Sequence, residues 1–335
     1  MESPVKTALP LALAILAACS AAVGAGDDPA AAQAPLVLVR TAVLPGVDGR
    51  IDHLALDAKR QTLHVAALGN GSLEVVSLAK SERTQSVGGL PEPQGVEFLP
   101  RADRVAVACG GDGSVRFLDA RSLETKATTD LGSDADNAHA DAAGDLWVAF
   151  GSGGIARIDA GTAKETARVP LGAHPEGFAI EVQGKRIFVN LASRGEVAVV
   201  DREAGKVVAR WKPGASSNYP MALDEAAGRL YVGCRSPARL VVLATDDGRV
   251  LASPECSGDP DDVFVDAGRK RAYVACGAGS IDVFDLAGAE PKLLARVPTE
   301  RGARTMLLDA ATGTVHLAVP RRGAKDAEVR TYEPR

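Results

Sequence analysis

The sequence predicts an all-β fold: a seven-bladed β-propeller of four-stranded antiparallel blades, closed by an N-terminal strand pairing with the last blade. Three observations predict it. A pattern of strand, polar turn and second strand recurs seven times, marked by Asp57, Leu99, Asp141, Glu181, Asp224, Asp266 and Asp309, 40 to 43 residues apart. That is the period of a four-stranded blade. The last copy is one strand short, and an unassigned strand lies just before the first.

Composition agrees. The 335 residues include 35 Gly and 19 Pro, enough for many turns, and aromatics are only 4%. A net charge of -5 and the lack of any Lys/Arg cluster with interleaved aromatics argue against nucleic acid as a partner.

From the N-terminus, MESPVKTALPLALAILAACS reads as a targeting signal. Its apolar run, Ala8 to Ala18, is short for a membrane-spanning helix, which needs about 20 residues. Leu16-Ala17-Ala18-Cys19 resembles a bacterial lipobox, which implies a signal peptide over 1–19 and lipidation of Cys19. Cleavage after Val23-Gly24-Ala25, giving a soluble secreted protein, and an uncleaved anchor are the alternatives. All three place the body outside the cytoplasm, as a periplasmic, outer-membrane or secreted protein whose only membrane contact is an anchor. Residues 20–35 are small and polar without periodicity, a flexible tether.

A single propeller domain is expected over 36–335. LVLVRTAV (36–43) has the apolar pattern of a strand. Blade four shows the unit most clearly, with GFAIE, RIFVNL, EVAVVD and KVVARW separated by turn residues. In the last copy MLLD, TVHLAV and AEVRTYE supply three strands, so 36–43 is the missing fourth and closes the ring. A monomer is expected.

YVGC, YVAC, VVDREAGKVVA and the Pro-x-Gly starts at 93–95 and 175–177 resemble the YVTN-type, YncE-like β-propellers of bacterial envelopes. The resemblance covers residues 36–335 and implies a binding or surface protein. Unlike haem-linked relatives, the chain has no Cys-x-x-Cys-His, which argues against covalent haem.

Stacking the seven copies sorts single residues into columns. His64 and His316 share a column with Ala106, Trp147, Phe188, Tyr231 and Tyr273, and read as packing between blades. Asp119, Asp159, Asp201 and Asp285 end third strands and read as turn residues. The Gly-rich segments at 69–72, 110–114, 151–154 and 277–280 read as tight turns, because no helix follows to complete a phosphate cradle. Four cysteines, Cys109, Cys234, Cys256 and Cys276, lack zinc spacing; they read as buried thiols, or as one bridge from Cys256 to Cys276 or Cys234.

One column is polar throughout: Asp52, Gln94, Asp136, Glu176, Tyr219, Asp261 and Arg304, at the start of each inner strand. The next is His53, Gly95, Asn137, Gly177, Pro220, Asp262 and Thr305. In a propeller these ring the mouth of the central channel. A wet rim explains them blandly. As a site, the acids supply hard oxygen ligands, His53 and His139 supply nitrogens, and Arg304 suits a carboxylate or phosphate. Glu97 and His139 share a deeper column otherwise held by Ala55, Ala179, Ala222, Phe264 and Leu307, and polar groups at that depth need partners. His174 lies on the same face. The favoured reading is a scaffold or binding protein that takes a small ligand or an envelope protein on its top face. The alternative is a lactonase-type hydrolase or lyase with a divalent cation at the mouth. A redox accessory role rests on fold analogy alone.

Overall fold

The computed structural model describes residues 1–2, 34–151 and 153–335. Residues 3–33, which hold nearly all of the expected signal peptide and tether and the expected lipidation site Cys19, lie outside these described residues. Ala34–Arg335 forms one compact unit. Its strands, numbered β1 to β28 along the chain, make seven sheets of four antiparallel strands each.

Blade one runs in sequence order through β2 (Leu54–Asp57), β3 (Thr62–Ala67), β4 (Ser72–Ser77) and β5 (Glu82–Gly88). Blade four places RIFVNL, EVAVVD and KVVARW on Arg186–Leu191, Glu196–Asp201 and Lys206–Trp211, as the sequence predicts. The inner strands of blades two to seven are β6 (Pro93–Leu99), β10 (Ala135–Ala140), β14 (Phe178–Ile180), β18 (Ser216–Asp224), β22 (Pro260–Asp266) and β26 (Thr305–Asp309). Each inner strand touches the next, and β26 touches β2, so the seven enclose a channel.

Closure follows the sequence prediction. β1 (Leu36–Leu44) pairs antiparallel with β28 (Ala327–Pro334), outside β27 (Thr314–Val319) and β26. Leu36, Ala42 and Leu44 bury their side chains inward, whereas Leu38, Val39 and Val43 are exposed on the outer strand.

The core is divided into seven wedges, each made from two consecutive blades. Flat sheets diverge as they leave the axis, so large side chains must fill the gap. Trp147, Phe188, Tyr231 and Tyr273 do so on second strands, fully buried. His64 and His316 share that column and are buried as well; burial lowers both to about 4, so each is a neutral packing residue near pH 7. The third-strand aspartates accept backbone N–H bonds from the following turns, for example Asp119 from Arg121 and Ser122. Cys109, Cys234, Cys256 and Cys276 are buried free thiols, so the bridge left open by the sequence is not formed.

Deleting residues 1–44 is expected to lower the midpoint of thermal unfolding by more than about 10 °C relative to deletion of 1–33, because it unpairs all of β28's outer edge. Calorimetry of the two truncations checks this.

Candidate functional site

Blades one to six bring their channel residues to the mouth through the same local device. In blade one, Asp52 N–H donates to Ala66 O at 2.8 Å while Ala66 N–H donates to His53 O at 3.0 Å. Two residues of the inner strand thus oppose one of its partner, which is a β-bulge. Glu176 and Gly177 oppose Asn190 in the same way. Blades two, three, five and six show register shifts at the matching positions.

The second residue of the bulge then reaches the next blade. His53 N–H donates to Gln94 O at 3.3 Å, and Gly177 N–H to Tyr219 O at 3.1 Å. This approach explains two glycines: a Cβ on Gly95 or Gly177 would lie 2.1 Å from Asp136 O or 2.6 Å from Tyr219 O. The Gly-rich loops are pinned to the same face, since Gly69, Gly110, Gly151 and Gly277 each donate a backbone bond to the segment entering an inner strand. They are turns, as read from the sequence.

The channel is a cavity of about 630 Å³. All twelve residues singled out by the sequence line it: Asp52, His53, Gln94, Glu97, Asp136, Asn137, His139, Glu176, Tyr219, Asp261, Asp262 and Arg304. The acids do not converge on one point. They fall into three groups with different partners.

In the first group, Asp52, 2% exposed, meets Arg50 Nη2 at 2.7 Å, and His53 stands between Asp52 Oδ1 (3.6 Å) and Asp262 Oδ1 (3.8 Å). Burial is the largest single influence on His53 and lowers its pKa, but Asp52, Asp262, Asp136 and Asp261 together outweigh it and raise it. Asp262 accepts Met306 N–H at 2.7 Å, and burial above all lifts its carboxyl to about 7.

In the second group Asp261 is gripped by Arg235 and by Arg304 Nε at 2.8 Å, and Asp259 by the same two guanidiniums at 3.0 Å each. The Arg235 guanidinium also lies over the Tyr219 ring, 3.9 Å from its centroid. Two acids and two arginines balance, so Arg304 is already occupied and is not a free anchor for an anionic ligand.

The third group makes no salt bridge to an arginine among the described residues, and Arg235 acts on its Glu176 only from a distance. Asp136, Glu176, Asp134 and His174 lie together, and Asp134 accepts Gln94 Nε2 at 2.9 Å. Asn137 donates to Asp136 over a long 3.4 Å. Burial, then the Asp52 carboxylate, pushes Asp136 well above the usual carboxylate range, and burial also raises Glu176.

Deeper in the channel, His139 Nδ1 faces Glu97 Oε2 at 4.0 Å from the adjacent blade, and the His139 ring meets Phe178 edge-on at 4.8 Å. Burial raises Glu97 to about 8 and lowers His139 to about 4. Near pH 7 both are therefore uncharged. The surrounding wall at this depth is apolar, with Leu54, Val96, Met221, Phe264 and Met306 among the lining residues.

Four charged residues of the mouth escaped the column reading, and they obey two rules. Arg50, Asp134 and Asp259 each precede the mouth column by two residues, as His174 does, so the same period marks them. Asp134 and Asp259 take left-handed φ of +35° and +59°, which turns the chain toward the channel. Arg235 instead stands where Gly110, Gly151 and Gly277 stand in other blades, and its departure from glycine was the available signal.

No family model and no curated protein matches the chain. Solved structures do. A chain of "Kuenenia stuttgartiensis Hydrazine Synthase" is similar at 16% identity and TM-score 0.73, covering 84% of this chain and 99% of that one. A chain in "Crystal Structure of Mitotic Checkpoint Complex" is similar at 13% identity and TM-score 0.76, covering 96% and 99%. At such identities the likeness shows the propeller fold, which is compatible with a binding or scaffold module, and does not extend to activity. Among the described residues no helix is long and apolar enough to cross a membrane.

The raised carboxyls make a pH prediction. Between the ordinary carboxyl range and pH 8 the folded protein retains protons on Glu97 and Asp262 that the unfolded chain has lost, so stability falls as pH rises through that window. Urea unfolding at about pH 5.5 and 8.5 is expected to show this fall, and Glu97→Gln to shrink it by more than about 1 kcal/mol.

Proposed function

We propose that the chain is a binding module that takes a small organic ligand end-on into the top mouth of its channel. The observation that carries this reading is the graded wall of the 630 Å³ cavity: charged at the mouth, apolar below, with the Glu97–His139 pair facing each other in the depth. The volume falls within the range of about 300–1,000 Å³ usual for small-molecule sites. A neutral carboxyl and a neutral imidazole favour an uncharged hydrogen-bonding tip, such as a hydroxyl, carbonyl or amide, over an ion. The ligand's apolar middle would meet Phe178 and Met221, and its polar outer end the rim.

The resemblance of the repeats to YncE-like envelope propellers supports the same reading. So does the lipobox, which would hold the disc on a membrane through lipidated Cys19 in the periplasm or at the outer membrane. A second reading, docking of a protein on the same face, is favoured by one comparison: a similar fold lies within a complex.

Thermal unfolding against a panel of small neutral and zwitterionic compounds tests the ligand reading. A true ligand at 100 times its Kd is expected to add about 2.7 kcal/mol of stability. That gain should vanish in Glu97→Ala/His139→Ala; a gain kept in full by the double variant would put the ligand elsewhere. For the anchor, metabolic labelling with a radioactive fatty acid is expected to mark the wild type and not Cys19→Ser. Equal labelling of both, or of neither, would remove the lipid from the account.

A further inference from the structure

The acids of the mouth differ in how their charge is met. Asp52 has Arg50, Asp261 has Arg235 and Arg304, and Asp262 has the Met306 N–H. Asp136 has none of these. The residue is 8% exposed, it receives a single long bond from the Asn137 amide, and its other oxygen, open to the channel, has no protein partner among the described residues. A carboxyl so largely removed from water is ordinarily paired with a cation or held by several N–H donors.

What stands beside it is a donor set. One atom each of Asp136, His174 and Glu176 lies within 4.8 Å of the other two. His174 Nε2 is 3.8 Å from Glu176 Oε1, and His174 Nδ1 is 3.7 Å from Asp134 Oδ2; both are too long for hydrogen bonds. The three side chains therefore face one another without bonding to one another. Behind them Asp134, fixed by Gln94 Nε2 at 2.9 Å, faces the far nitrogen of the imidazole. A carboxylate behind a histidine, with the other ring nitrogen turned to a cluster of oxygens, is the outer-shell arrangement of metal-binding histidines.

We infer that Asp136, His174 and Glu176 bind a divalent cation of the borderline class, Zn²⁺, Mn²⁺ or Co²⁺, at the channel mouth. Two carboxylates and one imidazole, with no thiolate, suit these ions; a nitrogen ligand disfavours Ca²⁺ and Mg²⁺. Bonds of about 2.0–2.2 Å bring donors to roughly 3–3.5 Å from one another, so the side chains must draw in by about 1 Å on binding. Three protein ligands leave at least one position open toward the channel. Asp134 acts as a positioning residue through His174. The inference goes beyond the small-ligand reading and does not need it, because the ligand's inner contacts lie at Glu97 and His139. A bound ion is also what the hydrolase alternative would require.

The test is calorimetric titration of the chelator-stripped full chain with ZnCl₂, MnCl₂, CoCl₂, CaCl₂ and MgCl₂, with the visible absorption of bound Co²⁺ as a second readout. One saturable site per chain is expected for at least one borderline ion. Its affinity should fall more than tenfold in His174→Ala and in Glu176→Gln, and by about 10 to 100-fold in Asp134→Asn. Glu97→Gln should leave it unchanged. Unfolding of every variant in EDTA establishes that each is folded, and Glu176→Gln, equal in size, answers for any loss of fold in His174→Ala. Three results overturn the inference: no saturable binding of any of the five salts, binding of Ca²⁺ or Mg²⁺ only, or binding that survives both His174→Ala and Glu176→Gln. None of these touches the small-molecule panel, which is run in EDTA.

Discussion

Two residues opposing one at the start of the inner strands of blades one to six is the constraint on which the site depends. A regular strand sends successive side chains to opposite faces, so adjacent residues could not both serve the mouth. The bulge breaks that alternation. It sends Asp52 and its equivalents toward the channel while the following backbone N–H is free to bond the next blade, as His53 does with Gln94 O. Site and ring closure are therefore made by the same few bonds. Where the blades come closest, at Gly95 and Gly177, no side chain fits.

Much of this was legible from the period alone. Once the repeat is aligned, the column of His64 and Trp147 has to be the packing face, and the register confirms it: Ala55 pairs with His64, Glu97 with Ala106 and His139 with Trp147. The columns beginning with Asp52 and His53 were legible for the same reason. What the columns conceal is partnership, since a column tells how deep a residue sits and not which way a long side chain leans. Arg304 was readable as a free anchor, but it folds back on Asp259 and Asp261. Arg235 arrives from the end of a second strand, outside the inner strands altogether.

The charge of the mouth is unevenly distributed. Arg50, Arg235 and Arg304 come from blades one, five and seven, and meet the acids of blades one and six. Blades three and four contribute Asp136 and Glu176, which make no salt bridge to an arginine among the described residues, although Arg235 acts on Glu176 from a distance. Desolvation acts on these carboxyls, and a guanidinium in contact opposes it, as Arg235 and Arg304 do at Asp261, whose carboxyl burial still raises. The rim thus has a finished side and an unfinished one. Below it, Glu97 and His139 resolve the same problem differently, by giving up charge.

The outer position of β1 bears on how the protein is made. Leu36 pairs with Pro334, so the first strand to be synthesised must wait for the last. Contacts of such sequence separation form slowly, since the loop between them has to be ordered before they are rewarded. Six blades can assemble from neighbouring hairpins, but the seventh cannot be completed until the whole chain is present. Until then a strand carrying Leu38, Val39 and Val43 has both edges open, and the nascent molecule is a candidate for pairing with another copy of itself.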